Sequence, residues 1–322
     1  MSSQTHEGYM SRALELAMNA PFRTSPNPTV GCVVVADSKV VGEGITQPVG
    51  GAHAEISALE AAGALSQGAQ LYVTLEPCSH YGRTPPCTKA IIEAGIKEVF
   101  VGVRDPNPLV DGGGFAALEA AGIKVHSGIM GLECGRHHAP FFKFIREGRP
   151  WVVLKGALTL DGCIATMTGH SQWITGEAAR IDTHRLRARC DAILVGAETA
   201  RKDNPMLTVR HVDGADPIRV ILDPLASLSP ECKTLGMGSI LVHAEGAASD
   251  RIEAIEQTGT RMLCCPRSER GLDLNFVLAS LAEAGVVSLM VEGGGKVHGS
   301  FIDSQLADAG CFYLAPKLIG RG

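Results

Sequence analysis

His53-Ala54-Glu55, answered downstream by Glu76-Pro77-Cys78 and then by Cys87, is the part of this 322-residue chain on which the reading of the fold turns. One imidazole and two thiols are ligands of the kind zinc takes, and a catalytic zinc keeps its fourth position open. Water at that position has its pKa lowered from about 15.7 to about 7, which makes it a nucleophile at neutral pH. Glu55 lies two residues from the histidine and is left free to carry protons.

The surroundings suit such a site. Gly50-Gly51 let the chain turn, so His53 opens a helix, where the dipole and unpaired N–H groups favour an anion. Cys78 follows a strand at its carboxyl end, where open α/β sheets place ligands. Cys87 begins the next helix behind Pro85-Pro86, and both thiols give up their protons on binding a metal. Taken singly, His53 reads as a surface imidazole and each cysteine as a core thiol. Their order at successive loop-to-helix boundaries favours a metal site instead, and H-x-E followed by P-C is a known signature of zinc-dependent base deamination. A structural zinc with His80 as its fourth ligand is the other reading.

Length argues for two domains. The net charge of −5 gives no electrostatic reason to hold a polyanion, so no nucleic-acid partner is expected. Met1 to Arg12 contains no apolar signal core, and no run approaches the roughly 18 apolar residues of a membrane span. The ten cysteines are scattered, as buried thiols of a reducing cytoplasm would be.

Apolar periodicity predicts a helix over Gly8–Ala20, a hairpin of Val30–Ala36 and Lys39–Glu43, and a helix over Ala54–Ala62. A strand at Gln70–Leu75, a helix at Pro86–Ala94, strands at Glu98–Val103 and Lys124–His126 and a helix near Phe115–Ala121 follow. This is an α/β layer domain over residues 1–146, and Arg146-Glu147-Gly148-Arg149-Pro150 reads as a linker. Residues 150–322 form a second α/β domain. Its strands are Trp151–Leu158, Ala192–Val195, Ile218–Leu222, Ser239–His243 and Val286–Val291. Its helices are Glu177–Arg189, Leu274–Ala284 and Lys296–Asp303.

Zinc deaminases commonly have two residues between their cysteines, whereas eight separate Cys78 from Cys87. The segment Thr74-Leu-Glu-Pro-Cys-Ser-His-Tyr-Gly-Arg-Thr-Pro-Pro-Cys87 resembles the bifunctional riboflavin-biosynthesis deaminase/reductases. So do Pro26-Asn-Pro-Thr-Val-Gly-Cys32, Ser171-Gln-Trp-Ile-Thr175, Asp203-Asn-Pro-Met-Leu-Thr208 and Ala315-Pro-Lys-Leu-Ile-Gly320. The resemblance covers nearly the whole chain. It implies a cytidine-deaminase-like three-layer domain followed by a dihydrofolate-reductase-like α/β domain.

That resemblance implies removal of the 2-amino group from a diaminopyrimidinone ribosylamino 5′-phosphate. Glu55 would be the catalytic proton carrier, with His53, Cys78 and Cys87 on the metal. Asn27, His80 and Lys155 would contact this substrate. Two positions depart from the family: Thr46 stands where a substrate-side His is common, and His138 where an Asn is usual. Alone, Asn27 is a turn residue between prolines and Lys155 a strand lysine.

In the second half, the strand Val287–Glu292 runs into Gly293-Gly294-Gly295 and a helix. That geometry lets backbone N–H groups approach a phosphate, although G-x-G-x-x-x-G misses the Rossmann spacing. The resemblance implies NADPH as cofactor, held by Ala157, Trp173, Thr199, Asp203 and Gly294, Gly295, Lys296, Val297, His298, Gly299 and Ser300. It places Ser171, Arg187, Leu207, Arg210 and Glu292 on the ribose 5-phosphate portion of the second substrate. The two arginines suit it, because guanidinium forks match phosphate geometry. Hydride delivery to C1′ would turn ribosyl into ribityl, and a homo-oligomer is expected.

The sequence stops at Gly322, where family members continue, so an incomplete reductase sheet is one expectation and a deaminase-only protein one alternative. A nucleic-acid base deaminase, such as a tRNA editor, is another. A zinc-stabilised nucleotide-binding module without turnover is the third.

Overall fold

The computed structural model describes residues 3–81, 85–108, 110–168, 174–269 and 271–320, the side chains of 3–5 aside. The chain divides into two compact units, Met1–Gly148 and Arg149–Gly322. Among the described residues no helix is long and apolar enough to cross a membrane.

The first unit runs α1 (Ser3–Met18), β1 (Gly31–Ala36), β2 (Lys39–Ile45), α2 (Ala54–Ala62), β3 (Gln70–Leu75), α3 (Cys87–Glu93), β4 (Glu98–Val103), α4 (Gly113–Ala120), β5 (Lys124–Ser127) and α5 (Gly131–Glu147). Its sheet has the order β2-β1-β3-β4-β5. β1 is antiparallel to both neighbours, and β3, β4 and β5 are parallel. Strand alternation assigns the two faces. Cys32, Val34, Leu71, Val73, Val99 and Val101 meet Ala58 and Leu59 of α2, Ile91 of α3 and Leu118 of α4. Val33, Val35, Tyr72 and Phe100 meet Met10, Ala13 and Leu14 of α1 and Cys134 of α5. Three layers result.

The β1–β2 hairpin turns on Asp37 and Ser38, both left-handed (φ 48 and 63), the conformation whose twist suits a two-residue hairpin turn. α2 lies directly on β2: a Cβ at Gly44 would collide with the Ala54 carbonyl and crowd the Ala58 amide. The helix that presents His53 and Glu55 is thereby seated against backbone.

α1 begins five residues before the expected start at Gly8, and α5 was not expected at all. Gly131, Gly135 and Pro140 break up its sequence, yet Cys134, His138 and Phe141 recur at helical spacing and are buried. Left-handed Met130 and Gly148 bound it. Arg146 and Glu147 of the expected linker are its last turn.

The second unit runs β6 (Trp151–Thr159), α6 (Glu177–Arg189), β7 (Ala192–Gly196), α7 (Ala197–Asp203), β8 (Ile218–Leu222), β9 (Ser239–Ala244), α8 (Ser249–Glu256), β10 (Arg261–Cys265), β11 (Arg267–Ser268), β12 (Gly271–Leu272), α9 (Leu274–Glu283), β13 (Ser288–Val291), α10 (Gly295–Asp303) and β14 (Ala309–Ala315). Seven strands form a parallel sheet, β10-β9-β8-β7-β13-β6-β14. Such a sheet is covered on both faces. Val152, Leu194, Val220 and Val291 pack with α9 and Phe301 of α10. Ile193, Val195, Ile221 and Met290 pack with Leu186 of α6, Ala200 of α7 and Ile255 of α8. α7, α8, β10 and β14 were not anticipated from the sequence.

Candidate functional sites: a three-ligand metal centre and a glycine-lined cleft

His53 sits at the cap position of α2, and Cys78 follows β3. Cys87 is the first residue of α3. These three connections bring His53 Nδ1 to 3.1 Å from Cys87 Sγ and 3.6 Å from Cys78 Sγ, with 3.5 Å between the sulfurs. Around a tetrahedral zinc with bonds of about 2.0–2.3 Å, ligand atoms stand about 3.5–3.8 Å apart; both Cys78 separations match this and the His53–Cys87 one is shorter, so the donor set fits with a small opening of that pair. His80 is not part of the group, whose donor atoms all lie within 4.8 Å of one another. Three protein ligands are the catalytic rather than the structural pattern. The start of α3 organises Cys78: the Cys87 amide donates to its sulfur (3.3 Å) and the Thr88 amide to its carbonyl (3.2 Å).

Glu55 is 4% exposed. Burial, with the Cys78 sulfur adding to it, pushes its carboxyl up to about 7, a value suited to taking and returning protons near neutrality. Within the thiol pair the proton stays on Cys87, because a hydrogen bond from Cys87 lowers Cys78.

Asn27 lies in the turn before β1, where its amide donates to Thr24 O and its carbonyl accepts from the Thr24 hydroxyl. His80 follows Cys78 by two residues, and its Nδ1 is buried without a partner among the described residues. Thr46 is buried, and its Oγ1 accepts the Val30 amide at 3.0 Å. His138 is 2% exposed, and burial keeps it neutral, its pKa pushed well below the usual 6.5. Its Nε2 lies 3.1 Å from the Thr74 hydroxyl, whose oxygen accepts the Gly31 amide. Sequence reasoning missed Glu76, a buried carboxylate two residues before Cys78 that accepts three backbone amides. An acidic residue at the apolar end of a buried strand was the available signal.

In the second unit, α7 and α10 start side by side beyond β7 and β13. A Cβ at Gly196 would press on Val297, and the Gly294 amide donates to Thr199 Oγ1 at 3.1 Å. They border a cavity of about 1070 Å³. Of the residues assigned to cofactor, Ala157, Thr199 and Asp203 line it. So do Gly294, Gly295, Lys296, Val297, His298 and Ser300, while Gly299 lies on α10 away from the lining. Ser171 and Trp173 lie outside the described residues.

Lys155 and Glu292 line the same cavity. Glu292 accepts Lys155 Nζ at 2.9 Å and a fork from Arg187, Nε at 3.0 Å and Nη2 at 2.9 Å. Burial pushes the Glu292 carboxyl up, but Lys155 and Arg187 outweigh it and hold it below the usual carboxylate range. Two cations on one anion leave a net positive charge. Arg187 also donates to the Thr208 carbonyl (3.0 Å), and the Arg210 amide donates to His184 Nδ1 (3.1 Å), so α6 pins the segment around Leu207 and Arg210. Burial and Arg187 lower His184 to about 4, which keeps it an acceptor. Leu207 is left-handed (φ 56) with its side chain in the core, so it presents backbone.

Residues 3–103 match the model for the cytidine and deoxycytidylate deaminase zinc-binding region, and residues 150–322 match the RibD C-terminal domain. The riboflavin biosynthesis protein RibD of Bacillus amyloliquefaciens is 45% identical over 98% of this chain and 85% of its own length. That of Escherichia coli strain K12 is 40% identical over 98% and 88%. Among solved structures, the Thermotoga maritima diaminohydroxyphosphoribosylaminopyrimidine deaminase/5-amino-6-(5-phosphoribosylamino)uracil reductase superposes with a TM-score of 0.87 at 39% identity, covering 99% of this chain and 89% of that one. Acinetobacter baumannii RibD gives 0.88 at 37%, with the same coverage. The zinc-ligand triad with its buried glutamate, the glycine-lined cleft and these full-length similarities place the chain in the RibD family of riboflavin-biosynthesis enzymes, in which a zinc-binding deaminase domain precedes a reductase domain.

Proposed function

We propose that residues 1–146 deaminate 2,5-diamino-6-ribosylamino-4(3H)-pyrimidinone 5′-phosphate and that residues 150–322 reduce the product's ribosyl chain to ribityl with NADPH. The observation that carries the first half is the convergence of His53, Cys78 and Cys87, with Glu55 buried beside them. Bound zinc supplies a Lewis acid that makes water nucleophilic at neutral pH. Glu55 takes a proton from the attacking water, passes it to the pyrimidine ring nitrogen and returns one to the departing amine. The C–N bond breaks, a carbonyl oxygen remains and ammonia leaves. Asn27 and His80 orient the pyrimidine, and the buried Nδ1 of His80, without a partner among the described residues, supports a polar role for that side chain. Lys155, expected on the deaminase substrate, lines the second unit's cavity with its Nζ on Glu292, which supports a contact to a phosphorylated pyrimidine bound in that cavity.

In the second unit NADPH supplies the hydride. Thr199, Asp203, Ala157 and Trp173 face its nicotinamide end, and the Gly294–Ser300 segment takes its phosphates. Arg187, Arg210, Ser171, Glu292 and the Leu207 backbone hold the sugar phosphate. The net positive charge of the Lys155–Glu292–Arg187 cluster supports this assignment. The protein acts as a cytoplasmic homo-oligomer on a small phosphorylated pyrimidine, with no nucleic acid or membrane partner.

The test gives zinc-loaded protein the diaminopyrimidine phosphate and NADPH, reading ammonia and 340 nm absorbance separately. Stoichiometric zinc, ammonia release and NADPH oxidation are expected. Glu55→Gln is expected to keep its zinc and lose deamination by about 10²–10⁴-fold. Unchanged substrate in the presence of bound zinc overturns the proposal.

A further inference from the structure

Glu76 neither binds the metal nor faces a proton-transfer role, yet its carboxylate is buried, 4% exposed, at the end of β3. Burying an anion is costly unless its oxygens are filled by donors. Here they are filled from the connection between β4 and α4: Oε2 accepts the amides of Asp105 (3.3 Å) and of Gly112, the cap residue of α4 (3.2 Å), and Oε1 the amide of Gly114 in the first turn of α4 (3.1 Å). Bonds of this kind, to a charged acceptor, are about twice as strong as neutral ones. The Glu76 amide itself donates to Val103 O at 3.0 Å, prolonging the β3–β4 ladder up to the residue before Pro77.

The same connection also presses on the chain between Glu76 and Cys78. A Cβ at Gly114 would collide with the Pro77 carbonyl oxygen, and one at Gly113 would reach the Ser79 hydroxyl at 2.7 Å. Cys78 is therefore held from two sides. On one, the α3 amides of Cys87 and Thr88 reach its sulfur and carbonyl. On the other, Asp105, Gly112 and Gly114 are gathered onto Glu76, and Gly113 and Gly114 abut Ser79 and Pro77.

We propose that Glu76 is a positioning residue of the metal centre: by gathering the amides of Asp105, Gly112 and Gly114 it fixes the direction in which Cys78 presents its sulfur. This deepens the deaminase reading and rests on it. A glutamine keeps the shape but turns an NH₂ group toward at least one amide donor. The sulfur then shifts while the ligand remains, and misplacement of reacting groups by about 1 Å costs on the order of 100-fold in rate.

The test uses the full chain loaded with Co²⁺, whose thiolate charge-transfer and d–d absorption reports ligand geometry without turnover, and deamination of the zinc form, with reductase turnover as internal control. Glu76→Gln is expected to bind one equivalent of metal, shift the cobalt bands and lower deaminase kcat at least 10-fold, with KM within about twofold. Gly114→Ala perturbs the same contact from the α4 side and is expected to shift the bands in the same way. A folded E76Q with wild-type bands and kcat overturns the proposal, and so does a rise in KM at unchanged kcat. Should E76Q fail to fold, the bands and kcat of G114A decide in the same manner. A wild-type chain that binds cobalt but releases no ammonia overturns the deaminase reading as well, whereas failure in the variants alone overturns only the role of Glu76.

Discussion

Glu292→Gln isolates the electrostatics of the second unit, because it removes one charge and almost no volume. The wild-type carboxylate accepts Lys155 and the Arg187 fork at 2.9–3.0 Å. The side chains of Glu292, Lys155 and Arg187 are 15%, 13% and 10% exposed, so solvent cannot replace the lost partner. Breaking a buried pair by neutralising one member costs about 3–5 kcal/mol. Both tryptophans, Trp151 and Trp173, lie in the second unit, so their fluorescence in urea follows that unit. With a slope of about 2 kcal/mol/M, the midpoint should fall by about 1.5–2.5 M. Arg187→Met should cost at least about 1 kcal/mol less in the E292Q background than alone, as expected for coupled residues. The sign with pH follows from the lowered Glu292 value. Its contribution is present above the unfolded carboxyl pKa of about 4.3 and is lost as pH falls through the folded value. Wild type and variant should therefore converge in acid. A midpoint shift below about 0.5 M at pH 7, or additive costs in the double variant, would refute the reasoning.

His138 carries an opposite burden: it must stay neutral. Its folded pKa lies well below 6.5, so the unfolded chain binds more protons between those values. Stability should then fall below pH 6.5 by up to about 1.4 kcal/mol per pH unit. Amide exchange in α5 and β3 of His138→Asn, compared with wild type at pH 7.5 and 5.5, should show the variant gaining protection relative to wild type in acid; equal slopes count against this. Gly44→Ala forces a Cβ into the Ala54 carbonyl and should destabilise the first unit by about 1–3 kcal/mol, with weaker zinc retention against a chelator. Chelation of zinc should lower the melting of the first unit, read by exchange in α2 and α3, and leave the tryptophan-reported transition in place. At a metal concentration 100 times Kd the bound ion contributes about 2.7 kcal/mol. A shared loss of both transitions would contradict this.

Much of the deaminase centre was legible because its ligands sit at boundaries that sequence marks strongly. Gly50-Gly51 and Pro85-Pro86 announce the helix starts at His53 and Cys87, and β3 and β4 fall where their apolar runs predict. α5 was illegible because Pro140 and two glycines mask a helix whose apolar face is confirmed only by the sheet it covers. The second cleft was harder. α7 carries two assigned residues on a seven-residue helix too short to show periodicity. Arg187 sits on a helix that periodicity predicts, but nothing near it in sequence shows that it is buried with its fork on Glu292, over a hundred residues away. No local pattern encodes such a pairing. Thr46 shows the converse, since a substitution visible in sequence proves to have a structural contact, its hydroxyl oxygen accepting the Val30 amide.

The strand order of the second unit bears on how the protein is made. β13 occupies the slot between β6 and β7, and β14 closes the outer edge of β6. β6 is the first strand of that sheet to leave the ribosome, and both its partners, β13 (Ser288–Val291) and β14 (Ala309–Ala315), follow it only after the other strands of the sheet. Until residues 288–315 emerge, its backbone lacks both of its ladder partners. Long-range parallel pairing of this sort folds slowly and exposes sticky edges on the way. The Lys155–Glu292 contact is subject to the same delay, because it joins β6 to the residue after β13. Translation speed and chaperone supply should thus limit the yield of the reductase half, while the metal-bearing half can complete its own sheet from the first 148 residues.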